Sequence, residues 1–231
     1  MLSPYQYAVW LVCTILEIGV VVCAVKKNAF RRYVFLNIAM IASAAISIAR
    51  YQILHHYGFT SKEYHYFYYY SDFLLVITLY LALTSLYSHV FAELKAEQYV
   101  RLGTVLLLCG TALFSYAVVQ QSSSRLLTRF VVELSQNLYF VGLVLTYVLW
   151  GAVLKLRETR TRLIQLILST GVYFSLFAAN FALQNLYYGR TFFEYLTPLF
   201  GCFLPLSWMY AFWRIPEETR IAPARLAVVP R

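Results

Sequence analysis

The sequence has few charged residues for its length. Only 13% of its 231 residues are Asp, Glu, Lys or Arg, whereas 61% are hydrophobic and 18% are aromatic. Soluble domains carry about a quarter charged residues, so this composition excludes an ordinary soluble fold. It is typical of a chain that lies mostly within a membrane, and we expect the lipid bilayer to be its main partner.

Residues that several membrane chemistries require are also missing. Every lysine falls in a loop or at a helix end, which excludes a retinal Schiff base in the bundle. The four histidines lie outside the centres of the apolar runs, which excludes a haem held between two His ligands. No nucleophile–base or metal-binding constellation is visible. We therefore predict a protein without a cofactor, without a metal site and without enzymatic activity.

The cysteines give no sign of a metal or redox motif. Cys13, Cys23, Cys109 and Cys202 all fall within apolar runs, and no two of them have C-x-x-C spacing. We therefore expect all four to be small buried apolar side chains.

Long hydrophobic runs dominate what is present. About 20 apolar residues in a helix cross a hydrocarbon core of about 30 Å, and seven runs approach or exceed this length. Lipid-exposed backbone must satisfy its own hydrogen bonds, so we predict helices; continuous apolarity argues against a barrel. We predict an all-α bundle of seven transmembrane helices in residues 1–213, followed by a short basic tail, 214–231. The helices are expected at 5–25, 33–54, 68–90, 102–120, 130–154, 163–187 and 196–213.

The positive charges predict the orientation of the bundle. Of the 19 Lys and Arg residues, 14 fall on the side that holds the C-terminus and 5 on the other side. Lys and Arg in short loops favour the cytoplasmic side, so we predict an outside N-terminus and a cytoplasmic C-terminus in the cell (plasma or inner) membrane. The basic excess then reflects topology, and we expect no nucleic-acid partner.

Four ionisable residues lie within the apolar runs. They are Glu17, Arg50, Asp72 and Glu133, and each costs about 2.5–3.5 kcal/mol at the centre of a membrane helix unless it is accommodated. Three of them lie about one helical turn below the predicted outer surface. Because helices two and three are consecutive and antiparallel, we expect Arg50 and Asp72 to form an ion pair. That pair could be purely structural, or it could belong to a binding site.

Amide side chains accompany these charges in the outer half. Glu133, Gln136 and Asn137 share one face of helix five, and Asn180 and Gln184 share one face of helix six. In lipid these groups need partners, so we expect them to face each other or a wet cavity. Interhelical bonding alone is the alternative. The number of polar groups favours an outward-opening pocket, with candidate residues Arg50, Asp72, Glu133, Gln136, Asn137, Asn180 and Gln184.

Aromatic residues gather at the same level. Residues 65–70 read HYFYYY, and further tyrosines and phenylalanines follow helix six. They fit an interfacial belt or an aromatic cage. With Asp72 and Glu133 against Arg50, the pocket would carry surplus negative charge, which favours a small cationic or amine ligand.

Two further features lie deeper in the bundle. Glu17 stands apart, about 18 Å into helix one, as either a protonated hydrogen-bonded acid or an element of a proton relay. The pair Ser43 and Ser47 in helix two is typical of close helix–helix contact.

Three functions remain open at this stage. The first is a small-ligand sensor or receptor-like module, which signals to a cytoplasmic or membrane protein partner through the basic inner loops. The second is a small-solute or proton-coupled transporter, although no inverted repeat is visible. The third is a structural or accessory membrane subunit.

Overall fold

The computed structural model describes residues 4–91, 97–120, 126–156, 160–186 and 192–216. Within these ranges all regular structure is helical, which confirms the predicted all-α class. Residues 217–231, most of the predicted tail, lie outside the described residues. The described helices are α1 (Pro4–Lys26), α2 (Val34–Tyr57), α3 (Lys62–Phe91), α4 (Glu97–Gln120), α5 (Leu126–Lys155), α6 (Thr161–Leu186) and α7 (Phe192–Arg214).

Six of the described helices are long and apolar enough to cross a membrane: α1, α2, α3, α5, α6 and α7. The apolar part of α4 is shorter and covers Leu102–Ala117. The chain therefore has the architecture of a multi-pass membrane protein. A seventh span and the direction of insertion stay predictions.

Several helices begin before the apolar runs do. Helix α3 begins at Lys62, whereas the sequence predicted residue 68, and α4 begins at Glu97, whereas it predicted residue 102. The start of α3 is capped by Ser61, whose Oγ accepts a hydrogen bond from the backbone N–H of Tyr64 at 3.1 Å. Helical hydrogen bonds do not require apolar side chains, so hydropathy detects only part of each helix.

Six helices form a closed ring. Helix α1 packs on α2, α2 on α3, α3 on α5, α5 on α6, α6 on α7, and α7 on α1. Helix α4 lies outside this ring against α5 and α3. We call the end of the bundle where α1 begins the N-terminal face and the opposite end the C-terminal face.

Contacts between helix ends show that successive helices run in opposite directions. Near the N-terminal face, the rings of Trp10 in α1 and Tyr51 in α2 are 5.7 Å apart. At the C-terminal face, Arg162 in α6 donates from Nε and Nη2 to the backbone oxygen of Ile215, at 2.9 and 2.6 Å. The N-terminal face thus holds the starts of the odd-numbered helices in the ring and the ends of α2 and α6.

The tightest apolar core lies towards the C-terminal face. Its largest side chains are at most 1% exposed and come from every helix of the ring: Val20, Tyr33, Leu36, Leu83, Leu86, Leu149, Leu163, Leu166, Trp208 and Phe212. These side chains fill the interior of the ring at this end.

Glycine permits close contact between α5 and α6. A Cβ at Gly142 would overlap the ring of Phe174, and a Cβ at Gly171 would lie 2.7 Å from Cγ2 of Thr146. Contact between helix backbones at small residues is a common way of packing membrane helices, since lipid supplies no hydrophobic drive between them.

The prediction of four isolated cysteines is wrong for two of them. Cys13 in α1 and Cys202 in α7 form a disulfide, with their Cα atoms 4.9 Å apart. The two residues are 189 positions apart in the sequence, and closure of the ring brings them together. Cys23 is a buried free thiol, as expected, whereas the free Cys109 is exposed.

Candidate ligand-binding cavity

A cavity of about 520 Å³ lies inside the ring. It reaches the N-terminal face at Phe59 and His65, which are both exposed. From there it extends along the bundle to Glu17, Ser43 and Thr78. The bundle therefore has a pocket that is exposed at the N-terminal face and extends into its interior.

Small side chains create much of this space. Ala39, Ser43 and Ser47 recur every fourth residue on α2 and all line the cavity. Gly201 lines it from α7, and a Cβ added there would meet no atom within 4 Å. The spacing of Ser43 and Ser47 predicted close packing between helices. In the structure their small size leaves room beside the helix.

Arg50 lies at the wall of the cavity and is bound to α3. Its Nε donates to Oγ of Ser71 at 2.8 Å, and its Nη2 donates to the backbone oxygen of Tyr68 at 3.1 Å. Its guanidinium also lies 4.3 Å from the centre of the Tyr68 ring. These contacts hold α2 against α3 near the cavity mouth.

The expected ion pair between Arg50 and Asp72 is confirmed, but it is long. Nη2 of Arg50 and Oδ1 of Asp72 are 3.9 Å apart. Asp72 also lines the cavity, and its side chain is 32% exposed. A partly exposed pair at this distance contributes little to stability, about 1 kcal/mol or less, so its main effect is on the charge of the cavity.

Glu17 belongs to the same cavity, although the sequence analysis treated it as separate. It is 8% exposed, and Oγ of Ser43 donates a hydrogen bond to its Oε1 at 2.5 Å. Its Oε2 has no hydrogen-bond partner among the described residues. The cavity extends from the depth of Arg50 and Asp72 to the depth of Glu17, so all three residues line it. Their different depths in the sequence had suggested two separate sites.

The polar residues predicted on helices five and six are not among those that line the cavity. Nδ2 of Asn137 donates to Oγ of Ser115 in α4 at 3.0 Å. Nδ2 of Asn180 donates to Oγ1 of Thr197 in α7 at 2.9 Å. The remaining three, Glu133, Gln136 and Gln184, are half-buried. Helix α4 packs on the outside of α5, so the side of α5 that carries Asn137 meets a neighbouring helix.

Aromatic rings from α5 and α6 take the place expected for those amides. Tyr139, Tyr173 and Phe177 form one wall of the cavity. The ring centres of Tyr139 and Phe177 are 5.0 Å apart, and those of Tyr173 and Phe177 are 4.6 Å apart. Tyr173 and Phe177 are one helical turn apart and therefore share one face of α6, but their spacing does not distinguish a face towards the cavity from one towards lipid.

The aromatic rim predicted around the pocket is present in part. Tyr64, His65, Tyr68 and Tyr69 line the cavity. Tyr187 and Tyr188, which follow helix six, lie outside the described residues, as do the side chains of Phe192, Phe193 and Tyr195. The described rim therefore comes from the first turns of α3.

In the described parts of the chain, no group of three or more His, Cys, Asp or Glu side chains could hold a metal ion. Comparison with protein-family models, curated proteins and solved structures finds no match.

Proposed function

We propose that this protein is a sensor or receptor-like membrane module that captures a small solute in the central cavity. The observation that supports this most directly is the cavity itself, which has about 520 Å³ of space and opens at the N-terminal face. Pockets for small ligands have volumes of about 300–1,000 Å³ and combine apolar walls with a few polar groups. The cavity has this composition, with Glu17, Arg50 and Asp72 among aromatic rings.

The closed end of the bundle favours sensing over transport. Below the cavity, Trp208 and Phe212 of α7 are fully buried, and Arg162 joins the start of α6 to the end of α7. We propose that the N-terminal face is outside, on the Lys and Arg distribution. A solute that touches α1, α2, α3 and α7 would then bias helix positions, and the basic cytoplasmic side would present the change to a protein partner.

A transporter is the second candidate, and Glu17 is the observation that favours it. A buried carboxyl group inside a membrane bundle is a common element of proton-coupled carriers. This function requires the cavity to open alternately to both sides. The two candidates therefore differ in whether the base of the cavity is ever reached from the C-terminal face.

Labelling of introduced cysteines tests the open cavity. Ser47→Cys places a thiol on the cavity wall, whereas Ser135→Cys, at a similar depth in α5, places one at a position that is 4% exposed. In a Cys109→Ala background, we expect a charged, membrane-impermeant methanethiosulfonate reagent to modify Ser47→Cys in intact cells and to leave Ser135→Cys unmodified. Equal labelling of both, or of neither, would contradict an outward-opening cavity.

The same variant separates the sensor from the transporter. In inverted vesicles the reagent approaches from the opposite side of the membrane. A sensor with a closed C-terminal end leaves Ser47→Cys unmodified there. Modification from both sides would favour the transporter instead.

A further inference from the structure

The base of the cavity contains an acid with an unused oxygen. Glu17 is more than nine-tenths buried, and one carboxyl oxygen is satisfied by Ser43. The other, Oε2, has no partner among the described residues, although the residue lines a cavity large enough for a solute. A buried oxygen acceptor without a partner costs about 1–3 kcal/mol, more when it is charged, so a donor at this position would be strongly favoured.

No basic side chain of the described residues fills this need. Arg50, which also lines the cavity, is held by Ser71 and Tyr68 and pairs with Asp72. Arg50 also stands seven residues from Ser43 on α2, which places it about 10 Å farther towards the N-terminal face. Among the described residues that line the cavity, Arg50 is the one Lys or Arg beside the two acids Glu17 and Asp72, and it pairs with the acid nearer the mouth.

The walls above Glu17 are aromatic. Trp10 lies seven residues before Glu17 on α1, about two turns nearer the cavity mouth, and it lines the cavity. Tyr139, Tyr173 and Phe177 form a wall of the same cavity from α5 and α6. Aromatic faces attract cations and also bury apolar groups, so the lining suits a ligand with both parts.

We infer that the cavity binds a small protonated amine with an aromatic or apolar body, and that Glu17 is the counter-ion of its ammonium group. The ammonium group donates a hydrogen bond to Oε2 of Glu17, and the body of the ligand packs against Trp10, Tyr139 and Phe177. This inference rests on the proposed function, because it requires that a solute can reach the cavity.

Other occupants fit the lining less well. A divalent metal ion prefers six or more oxygen ligands, or a tetrahedral set of Cys, His and carboxylate groups, and no such cluster exists among the described residues. An anionic ligand would place its charge beside Glu17 and Asp72, and Arg50 already has partners. A neutral solute could donate a hydrogen bond to Oε2 of Glu17 but would place no positive charge beside the two acids that line the cavity.

Binding of three ligands of similar shape tests the inference. The probes are 2-phenylethylamine as the cation, 2-phenylethanol as the neutral analogue and 3-phenylpropanoate as the anion. Their dissociation constants are measured by calorimetry on the purified full chain in nanodiscs, with melting temperature as a second readout. We expect the amine to bind most tightly and the anion most weakly.

A matched pair of variants, Glu17→Gln and Glu133→Gln, shows whether amine binding depends on Glu17. Hydrogen bonds to charged groups contribute enough that Glu17→Gln should weaken amine binding about 10- to 100-fold, with little change for 2-phenylethanol. Glu133→Gln changes a half-buried carboxyl group that does not line the cavity, so amine binding should be unchanged. Ser43→Ala frees the second oxygen of Glu17 and should strengthen amine binding without changing the binding of 2-phenylethanol, whereas unchanged amine binding would count against Glu17 as the counter-ion. This variant tests the inference even if Glu17→Gln folds poorly.

Several results would overturn the inference. If 2-phenylethanol binds as tightly as the amine, or if Glu17→Gln and Glu133→Gln behave alike, Glu17 is not the counter-ion. Failure of all three probes to bind would also reject it. In each case labelling of Ser47→Cys decides separately whether the cavity is open, so the proposed function can stand when the amine inference falls.

Discussion

The two halves of the bundle use their interior space differently. Towards the C-terminal face, side chains such as Trp208, Phe212 and Leu86 fill the ring and are fully buried. From the N-terminal face to just past the middle of the bundle, the same ring encloses a cavity with Glu17, Arg50 and Asp72 in its lining. One half is packed as a protein core, and the other keeps polar groups beside empty volume.

This difference indicates that the packed part of the bundle contributes mainly to stability and the part around the cavity mainly to function. A dense core gains dispersion contacts and loses them when atoms are removed, so the C-terminal half should supply much of the stability. Polar groups beside unfilled space cost stability and are usually retained for binding. The N-terminal half is therefore the half in which substitutions should change function with small effects on folding.

The largest expected effect compares two tryptophans. Trp208→Ala removes a side chain that is 0% exposed from the packed half, and we expect a loss of about 3–5 kcal/mol in the free energy of unfolding. Trp10→Ala removes a ring that already borders the cavity, so we expect a loss of about 1 kcal/mol. Unfolding in detergent, followed by loss of helical signal, measures both. Similar losses would show that the halves do not differ in packing.

A smaller effect concerns the two hydrogen bonds between Arg162 and Ile215 at the C-terminal face. Arg162→Leu removes both hydrogen bonds to the backbone oxygen of Ile215 and should cost about 1.5–3 kcal/mol, because the donor is charged. Arg31→Leu, at an exposed position on the same face, should change stability by less than about 0.5 kcal/mol. The same unfolding assay applies. If the two variants are equally stable, Arg162 does not secure the end of α7.

The smallest expected effect is on stability, which should rise for one glycine-to-alanine substitution and fall for another. Gly201→Ala adds a methyl group into open space and should stabilise the protein by about 0.5–1 kcal/mol through helix propensity. Gly171→Ala should destabilise it by about 1 kcal/mol, because its methyl group would lie 2.7 Å from Cγ2 of Thr146. Thr146 cannot rotate away freely, since its Oγ1 donates to the backbone oxygen of Gly142 at 2.6 Å. Equal shifts in melting temperature would argue against a cavity at Gly201.

The helical fold class and the membrane character of this protein could be predicted from the sequence. Long apolar runs predict helices because backbone groups in lipid must bond within their own segment, and six of the runs lie in helices fit to span a membrane. The pairing of Arg50 with Asp72 was also predictable. The two residues lie at similar depth on consecutive antiparallel helices, and charged side chains inside a membrane bundle normally pair with each other.

The contents of the cavity could not be predicted in the same way. Asn137 was expected to face the pocket, but it bonds Ser115 of α4, and Tyr139 lines the cavity instead. In a soluble helix the apolar face indicates which side points inwards. In a membrane helix both the lipid and the protein interior accept apolar side chains, so hydropathy leaves the rotation of each helix undetermined.

The sequence by itself therefore determined the helical class, the apolar character of six membrane-length helices and the helix on which each charged residue lies. Only the tertiary structure decided which charges share a cavity and which cysteines meet. Glu17 joins Arg50 and Asp72 because a stripe of small residues on α2 leaves a continuous space between their levels. Cys13 joins Cys202 because the first and last helices close the ring. The position of a residue along its helix depends on that helix alone. The rotation of each helix about its axis, and therefore which side chains meet, depends on how all the helices pack together.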